Sequence, residues 1–265
     1  YIILDRKTDK INNEKVEYYR CYVGGVTVGK QAEILGDFIK KLFRTTHRKV
    51  RVISIDTSGV TAKAHLTTVK YAKPLHHQRL VIDWILKKYK EDQNNNVKII
   101  ICGTRGSGKT FTSRGIKKKY EEDNSSHFVK LFHNFDPTNI GVDINSLVLS
   151  QSSEVSPVIV QLDEIDVIFE DALKHKNIMD TRTHHTRNKK TLLQMLDAVG
   201  DTLNVLSIGT TELTPEQLYE HPEWHSFMRP GRIDYFVRFT KDPSRIEFLT
   251  HDQIEGYHTD YLDIS

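Results

Sequence analysis

The stretch Val97-Lys-Ile-Ile-Ile-Cys102-Gly103-Thr104-Arg105-Gly106-Ser107-Gly108-Lys109-Thr110-Phe111 decides how the rest of the chain is read. It opens with an apolar run of strand length, bounded by the polar loop Glu91–Asn96 and by Gly103. From Gly108 to about Tyr120 the sequence suits a helix. Between strand and helix stands Gly-x-x-x-x-Gly-Lys-Thr, and in that context the motif is specific for a nucleoside triphosphate. The glycines let the backbone wrap closely around phosphate oxygens, and the helix start adds its positive dipole end. Gly103, Thr104, Arg105, Gly106, Ser107, Gly108, Lys109, Thr110 and Phe111 are therefore the expected nucleotide-binding set. Lys109 is expected to reach the β- and γ-phosphates, and the Thr110 hydroxyl to ligate magnesium.

The next informative stretch is Val158-Ile-Val-Gln-Leu-Asp163-Glu164, an apolar strand that ends in two acids. Asp163 stands where a carboxylate can hold magnesium and its water, so Thr110 and Asp163 are the expected metal ligands. Glu164 can polarise an attacking water as general base, a role that contributes about 10²–10⁴-fold in rate. Asp166 and Glu170 read as decoration of the following helix.

Around these motifs strands and helices alternate. A helix is expected from Pro74 through Tyr89, strands at 127–132, 158–163, 203–209 and 233–239 (the last of them), and helices at 144–149 and 191–199. Alternation of this kind favours a parallel sheet between helices. The fold expected is an α/β P-loop sandwich with a five-stranded parallel sheet over residues 74–240. Residues 1–73 read as a small α+β domain for assembly or substrate docking. They hold two strands around Gly24-Gly25, an amphipathic helix at 31–44, and strands at 50–55 and 66–71. Residues 241–265 are expected to form a reduced or truncated C-terminal lid.

Composition bounds the partners. The chain has 265 residues, 38% hydrophobic and 28% charged, with a net charge of +3, and near-neutral charge argues against a nucleic-acid surface. The cysteines Cys21 and Cys102 lie in no metal-ligand spacing, which fits an intracellular, reducing compartment. No apolar run is long enough for a membrane helix, although an anchor upstream of Tyr1 is compatible with a chain that does not begin with Met. His221 and His225 are four apart, but Pro222 between them and the lack of a third ligand argue against zinc. His184-His185 sits in a polar stretch read as a solvated loop, and Trp84 and Trp224 read as core or interface.

Phe227-Met-Arg229-Pro-Gly-Arg232-Ile-Asp234 precedes the last expected strand. With it the chain resembles the AAA+ ATPases, and within them the AAA clade, in four pieces that stand in the family's order. They are Gly103–Thr110, Leu162-Asp163-Glu164-Ile165-Asp166, the sensor strand Leu206–Glu212, and Arg229–Asp234. Leu192-Leu-Gln-Met-Leu196-Asp197-Ala-Val199 looks nearest to the AAA ATPases of the mitochondrial Rieske-protein translocase type. The resemblance implies ATP and Mg2+ as cofactors and a homo-oligomeric ring, a hexamer or heptamer. It implies hydrolysis spent on moving a protein partner, with nucleic acid the disfavoured alternative. It also implies that Arg229 and Arg232 project into the neighbouring subunit's nucleotide site, making Lys109, Glu164, Arg229 and Arg232 the catalytic set. A guanidinium so placed stabilises the transferring phosphoryl charge by about 10³–10⁵ in rate.

The chain departs from the family at several positions. Glu212 stands where the family carries a sensor Asn, and an ionised carboxylate cannot donate a hydrogen bond. Its role is lost, or taken by Thr211, or Glu212 turns away. Thr104-Arg105 replaces a usual Pro-Pro, and Arg105 reads as a solvated side chain. In the segment where the family threads polypeptide, Ile140-Gly141 lacks the usual aromatic. A nucleotide-switched scaffold with weak hydrolysis is thus a competing reading. A nucleic-acid remodeller and a small-molecule P-loop kinase are weaker ones, and the kinase leaves Arg-Pro-Gly-Arg unexplained.

Overall fold

The computed structural model describes residues 2–11, 14–23, 49–56, 62–124, 129–138, 144–153, 156–174, 188–240 and 246–254, the first two as backbone only. The chain divides into two compact units, Tyr1–Lys49 and Val50–Ser265. In the first, β1 (Ile2–Ile11) and β2 (Glu14–Val23) pair antiparallel in one register from Ile2 opposite Val23 to Ile11 opposite Glu14. Both paired strands therefore lie before Gly24-Gly25, not on either side of it as expected. Those glycines and the expected helix at 31–44 lie outside the described residues.

The second unit is built on one eight-stranded sheet with the order β10-β9-β5-β8-β7-β6-β3-β4. The strands are β3 (Lys49–Asp56), β4 (Lys63–Lys70), β5 (Val97–Gly103), β6 (Lys130–Phe132), β7 (Val158–Leu162), β8 (Val205–Thr211), β9 (Tyr235–Phe239) and β10 (Ile246–Leu249). Strands β9, β5, β8, β7 and β6 run parallel and form the expected five-stranded centre. The edges correct the expected boundaries. Strand β3 pairs parallel with β6 at Ile53–Phe132, so β3 and β4 join this sheet rather than the N-terminal region ending at 73. Strand β9 is not the last, because β10 pairs antiparallel with it, inside the segment expected to be a lid. Residues 251–254 then make one helical turn that buries His251 and Ile254.

Strand alternation sorts the core into two layers. Ile99 and Ile101 of β5, Ile159 of β7, and Leu206 and Ile208 of β8 face α1 (His76–Glu91) and α2 (Lys109–Asp123). Ile100 and Cys102 of β5, and Val158, Val160 and Leu162 of β7, face α4 (Ile165–Lys174) and α5 (Lys189–Asp201). Ile99, Ile100 and Ile101 are all at most 1% exposed, and each such side chain contributes about 1.5–3 kcal/mol on burial. The short helices α3 (Ile144–Leu147) and α6 (Pro215–Glu220) complete the layers. Gly115 of α2 lies so close to Ile82 of α1 that a Cβ there would come within 2.3 Å of its Cδ1. The two helices brace the phosphate loop from behind through this contact.

Helix ends are tied across the sequence. Asn96, at the mouth of β5, donates to the carbonyls of Val199 at 2.6 Å and Gly200 at 3.1 Å, and also to that of Thr202. These carbonyls lie at the C-terminal end of α5 and its cap, where Val199 O also accepts from Thr202 N at 3.4 Å. Asn188 caps the other end, accepting from Thr191 N at 3.0 Å.

Candidate active site

The cleft lies at the C-terminal ends of β5, β7 and β8, the usual ligand position in a parallel α/β sheet. It has a volume of about 410 Å³ and is lined by Arg105, Gly106, Gly108, Lys109, Thr110 and Phe111 of the loop and α2. Arg114, Asp163, Glu164, Thr210, Thr211 and Glu212 complete the lining. The other expected loop residues act from behind. Gly103 closes β5, and Thr104 O accepts from Ser107 N at 3.2 Å. The Ser107 hydroxyl is buried with no protein partner among the described residues, as expected of a loop shaped around a further polar group.

Gly108 takes φ of 92°, where glycine is the low-strain residue, and a Cβ there would meet Gln78 Nε2 at 2.1 Å. Gln78 is itself fixed by accepting from Leu75 N at 2.9 Å, so the start of α1 sets how far the loop can move. Lys109 Nζ donates to Gly103 O at 2.6 Å and to Thr104 O at 3.1 Å. Burial lowers the pKa of this ammonium, while Glu212, Asp163 and Asp166 act in the opposite direction. Beside it, Phe111 stacks on Tyr71 with centroids 5.3 Å apart.

Thr110 Oγ1 donates to Asp163 Oδ1 at 3.3 Å, and Thr210 Oγ1 donates to the same oxygen at 2.8 Å. A hydroxyl and a carboxylate converging at an open cleft are the hard oxygen donors that magnesium takes, so the residues present fit that ion. Glu164 is exposed, with φ of 53°, an uncommon conformation for a non-glycine residue. Its carbonyl accepts from Val167 N at 2.9 Å and Ile168 N at 3.2 Å, so it is the turn that starts α4. The strained turn brings its side chain to the cleft, and such strain clusters at functional sites.

Glu212 does not turn away. It lines the cleft and is exposed, and its charge favours the Lys109 ammonium. Thr211 is buried, accepting from Leu213 N at 3.1 Å, and it is Thr210 that engages Asp163. Arg105 is exposed at the cleft mouth.

The two arginines of the Arg-Pro-Gly-Arg turn are not among the residues lining this cleft. Arg232 makes a two-pronged contact with Asp197 of α5, Nε to Oδ1 at 2.6 Å and NH2 to Oδ2 at 2.8 Å. This pairing raises the Arg232 pKa and lowers that of Asp197. Arg229 is exposed, and its guanidinium has no partner among the described residues. The turn is anchored at both ends. Phe227 stacks on Phe169 of α4, centroids 4.5 Å apart. Asp234 accepts from Lys98 N at 2.8 Å and pairs with Lys98 Nζ at 3.3 Å. Burial raises the Asp234 pKa, and Lys98 opposes that rise.

Sequence reasoning missed Gln161, His133, Arg114 and Thr210. A lone amide in an otherwise apolar strand, two before Asp163 and so on the same face, was the available signal for Gln161. Arg114, four after Thr110, shares its helix face in the same way. Ile140 and His184-His185 lie outside the described residues. Among the described residues no cluster of three or more His, Cys, Asp or Glu could hold a metal, and His221 stacks on Trp224 at 4.0 Å. No helix among them is long and apolar enough to cross a membrane.

A search of curated proteins finds no match. Among solved structures, that of C. elegans PCH-2 is similar at a TM-score of 0.42 and 13% identity. It covers 80% of this chain and 69% of that chain. Residues 99–240 match the family model described as ATPase family associated with various cellular activities (AAA). That span is more than half of the chain and holds the phosphate loop, the Asp163-Glu164 strand end and the Arg-Pro-Gly-Arg turn, and the chain belongs to the AAA ATPase family.

Proposed function

We propose that this chain is one subunit of an ATP-hydrolysing ring, a motor or translocase whose turnover moves a protein partner. The observation that carries the reading is the split of cationic groups between two surfaces. The cleft holds Lys109, Thr110, Asp163 and Glu164 together, while the exposed Arg229 lies outside it. Lys109 binds the β- and γ-phosphates, and Thr110 and Asp163 would hold magnesium, which would supply charge neutralisation at the phosphate oxygens. Glu164 takes the proton of the attacking water. Arg229 reaches the neighbouring subunit's cleft and stabilises the transferring phosphoryl group. Arg232, held by Asp197, braces the turn that presents it. The ring of six or seven and the protein cargo rest on the resemblance of the sequence, with Leu192–Val199, to the Rieske-protein translocase type. The N-terminal residues are the part that docks or moves the cargo, and the buried free thiol of Cys102 suits a reducing compartment.

Mixing two inactive variants tests this. Lys109→Ala should not bind ATP, and Arg229→Ala should bind but not turn over. Co-assembled, they should regain part of the activity, because the Lys109→Ala subunit still supplies its arginine. A mixture as inactive as its components overturns the shared site. One observation favours a second reading, a nucleotide-switched scaffold with little hydrolysis: the Glu212 carboxylate lines the phosphate cleft and would repel phosphate. Turnover that stays negligible at high protein concentration, with ATP bound, selects the scaffold.

A further inference from the structure

The Asp163 carboxylate is held by more than the two threonines. Gln161 precedes it on the same face of β7, is fully buried, and points its Nε2 at both carboxylate oxygens, 2.9 Å from each. Its Oε1 accepts from His133 Nδ1 at 3.1 Å and contacts the Ser113 hydroxyl of α2. His133, just past β6, has its other nitrogen 2.7 Å from Arg114 NH2.

The direction of every bond follows from chemistry. A guanidinium only donates, so His133 Nε2 accepts and its Nδ1 carries the proton. That proton goes to Gln161 Oε1. The amide is thereby turned with its NH2 toward Asp163; the flipped amide would set Oε1 against a carboxylate and face two donors with two donors. Burial and the adjacent Arg114 charge both lower the His133 pKa, which keeps the ring in this neutral form. A one-way chain of donors thus runs from Arg114 through His133 and Gln161 to Asp163. Elsewhere β7 is apolar, and a buried amide in such a strand is costly unless its hydrogen bonds are satisfied, as they are here.

Resting on the nucleotide-site reading above, we propose that Gln161, backed by His133 and Arg114, is a positioning residue that fixes the rotation of the Asp163 carboxylate toward magnesium. The Thr110 and Thr210 hydroxyls contact only Oδ1, whereas Gln161 spans both oxygens and sets the carboxylate plane. Removing a partner of a metal ligand costs about 10–100-fold in metal affinity.

The test uses the full chain and a fluorescent ATP analogue, with binding measured first in chelator and then across a magnesium titration. Gln161→Leu keeps the volume and removes the donor. It should leave metal-free nucleotide affinity within about twofold while weakening apparent magnesium affinity about 10–100-fold. His133→Leu leaves Gln161 beside Asp163 but removes one of the two donors that hold its Oε1, loosening the amide. It should shift magnesium affinity in the same direction by a smaller factor, and it keeps the inference testable should Gln161→Leu not fold. An unchanged magnesium dependence in a folded variant overturns the inference, as does an equal loss of metal-free and magnesium-bound affinity, which marks a packing role. If the unaltered chain binds no nucleotide, the reading of the cleft fails first and this inference with it.

Discussion

The cleft and the Arg-Pro-Gly-Arg turn are both polar and rich in charge, yet they are built oppositely. In the cleft the Asp163 carboxylate is held from several sides, by Thr110, Thr210 and Gln161 of its own chain. In the turn the backbone is anchored through Phe227 and Asp234, Arg232 is tied to Asp197, and Arg229 is left exposed. The cleft spends its hydrogen bonds inward on preorganisation. The turn is anchored on both sides and leaves the Arg229 guanidinium exposed. Preorganised donors and charges cost no reorganisation at the moment of reaction, so the proposed role of Arg229 in a neighbouring site would draw on that anchored base.

The largest effect should come from the turn. Arg229→Ala should lower turnover by about 10³–10⁵ with nucleotide affinity retained, read by steady-state hydrolysis beside analogue binding. Activity near that of the unaltered chain would make the two regions independent. Next comes the cleft: Glu164→Gln should lower kcat by about 10²–10⁴ and still bind ATP. A joint loss of binding and turnover would instead make Glu164 a structural part of the α4 start. Asn96→Ala touches neither region's chemistry but removes the side-chain donor to three carbonyls at the end of α5. It should cost about 1–3 kcal/mol in denaturant unfolding with metal-free nucleotide affinity unchanged. The smallest effect should be that of Asp197→Ala. Its pair with Arg232 is half exposed and contributes at most about 1 kcal/mol to stability. A fall in turnover beyond that small loss would show that Arg232 must be held for Arg229 to act.

The cleft was far more legible in the sequence than its surroundings. Lys109, Thr110, Asp163 and Glu164 stand in short contiguous motifs whose backbone context is local, and the structure brings all four to one cavity. Strands β5, β7 and β8 could be read because buried parallel strands are continuous apolar runs. Strand β10 escaped because Ile246-Glu-Phe-Leu249 is too short and mixed to separate from a loop. The membership of β3 escaped because it depends on pairing with β6, which no local pattern encodes.

Gly-x-x-x-x-Gly-Lys-Thr, the Asp-Glu strand end, the sensor strand and Arg-Pro-Gly-Arg, with the apolar periodicities, were enough to specify the family and the central sheet. They are local features, and local features survive in a linear string. The fold alone settled that Glu212 faces the cleft, that Arg232 is engaged by Asp197 while Arg229 is exposed, and that Gln161 and His133 stand behind Asp163. Each of these depends on side chains from separate strands, helices or turns meeting at hydrogen-bond distance. Such meetings are set by how the sheet and its layers pack, and the phosphate loop itself relies on one, the contact of Gly108 with Gln78.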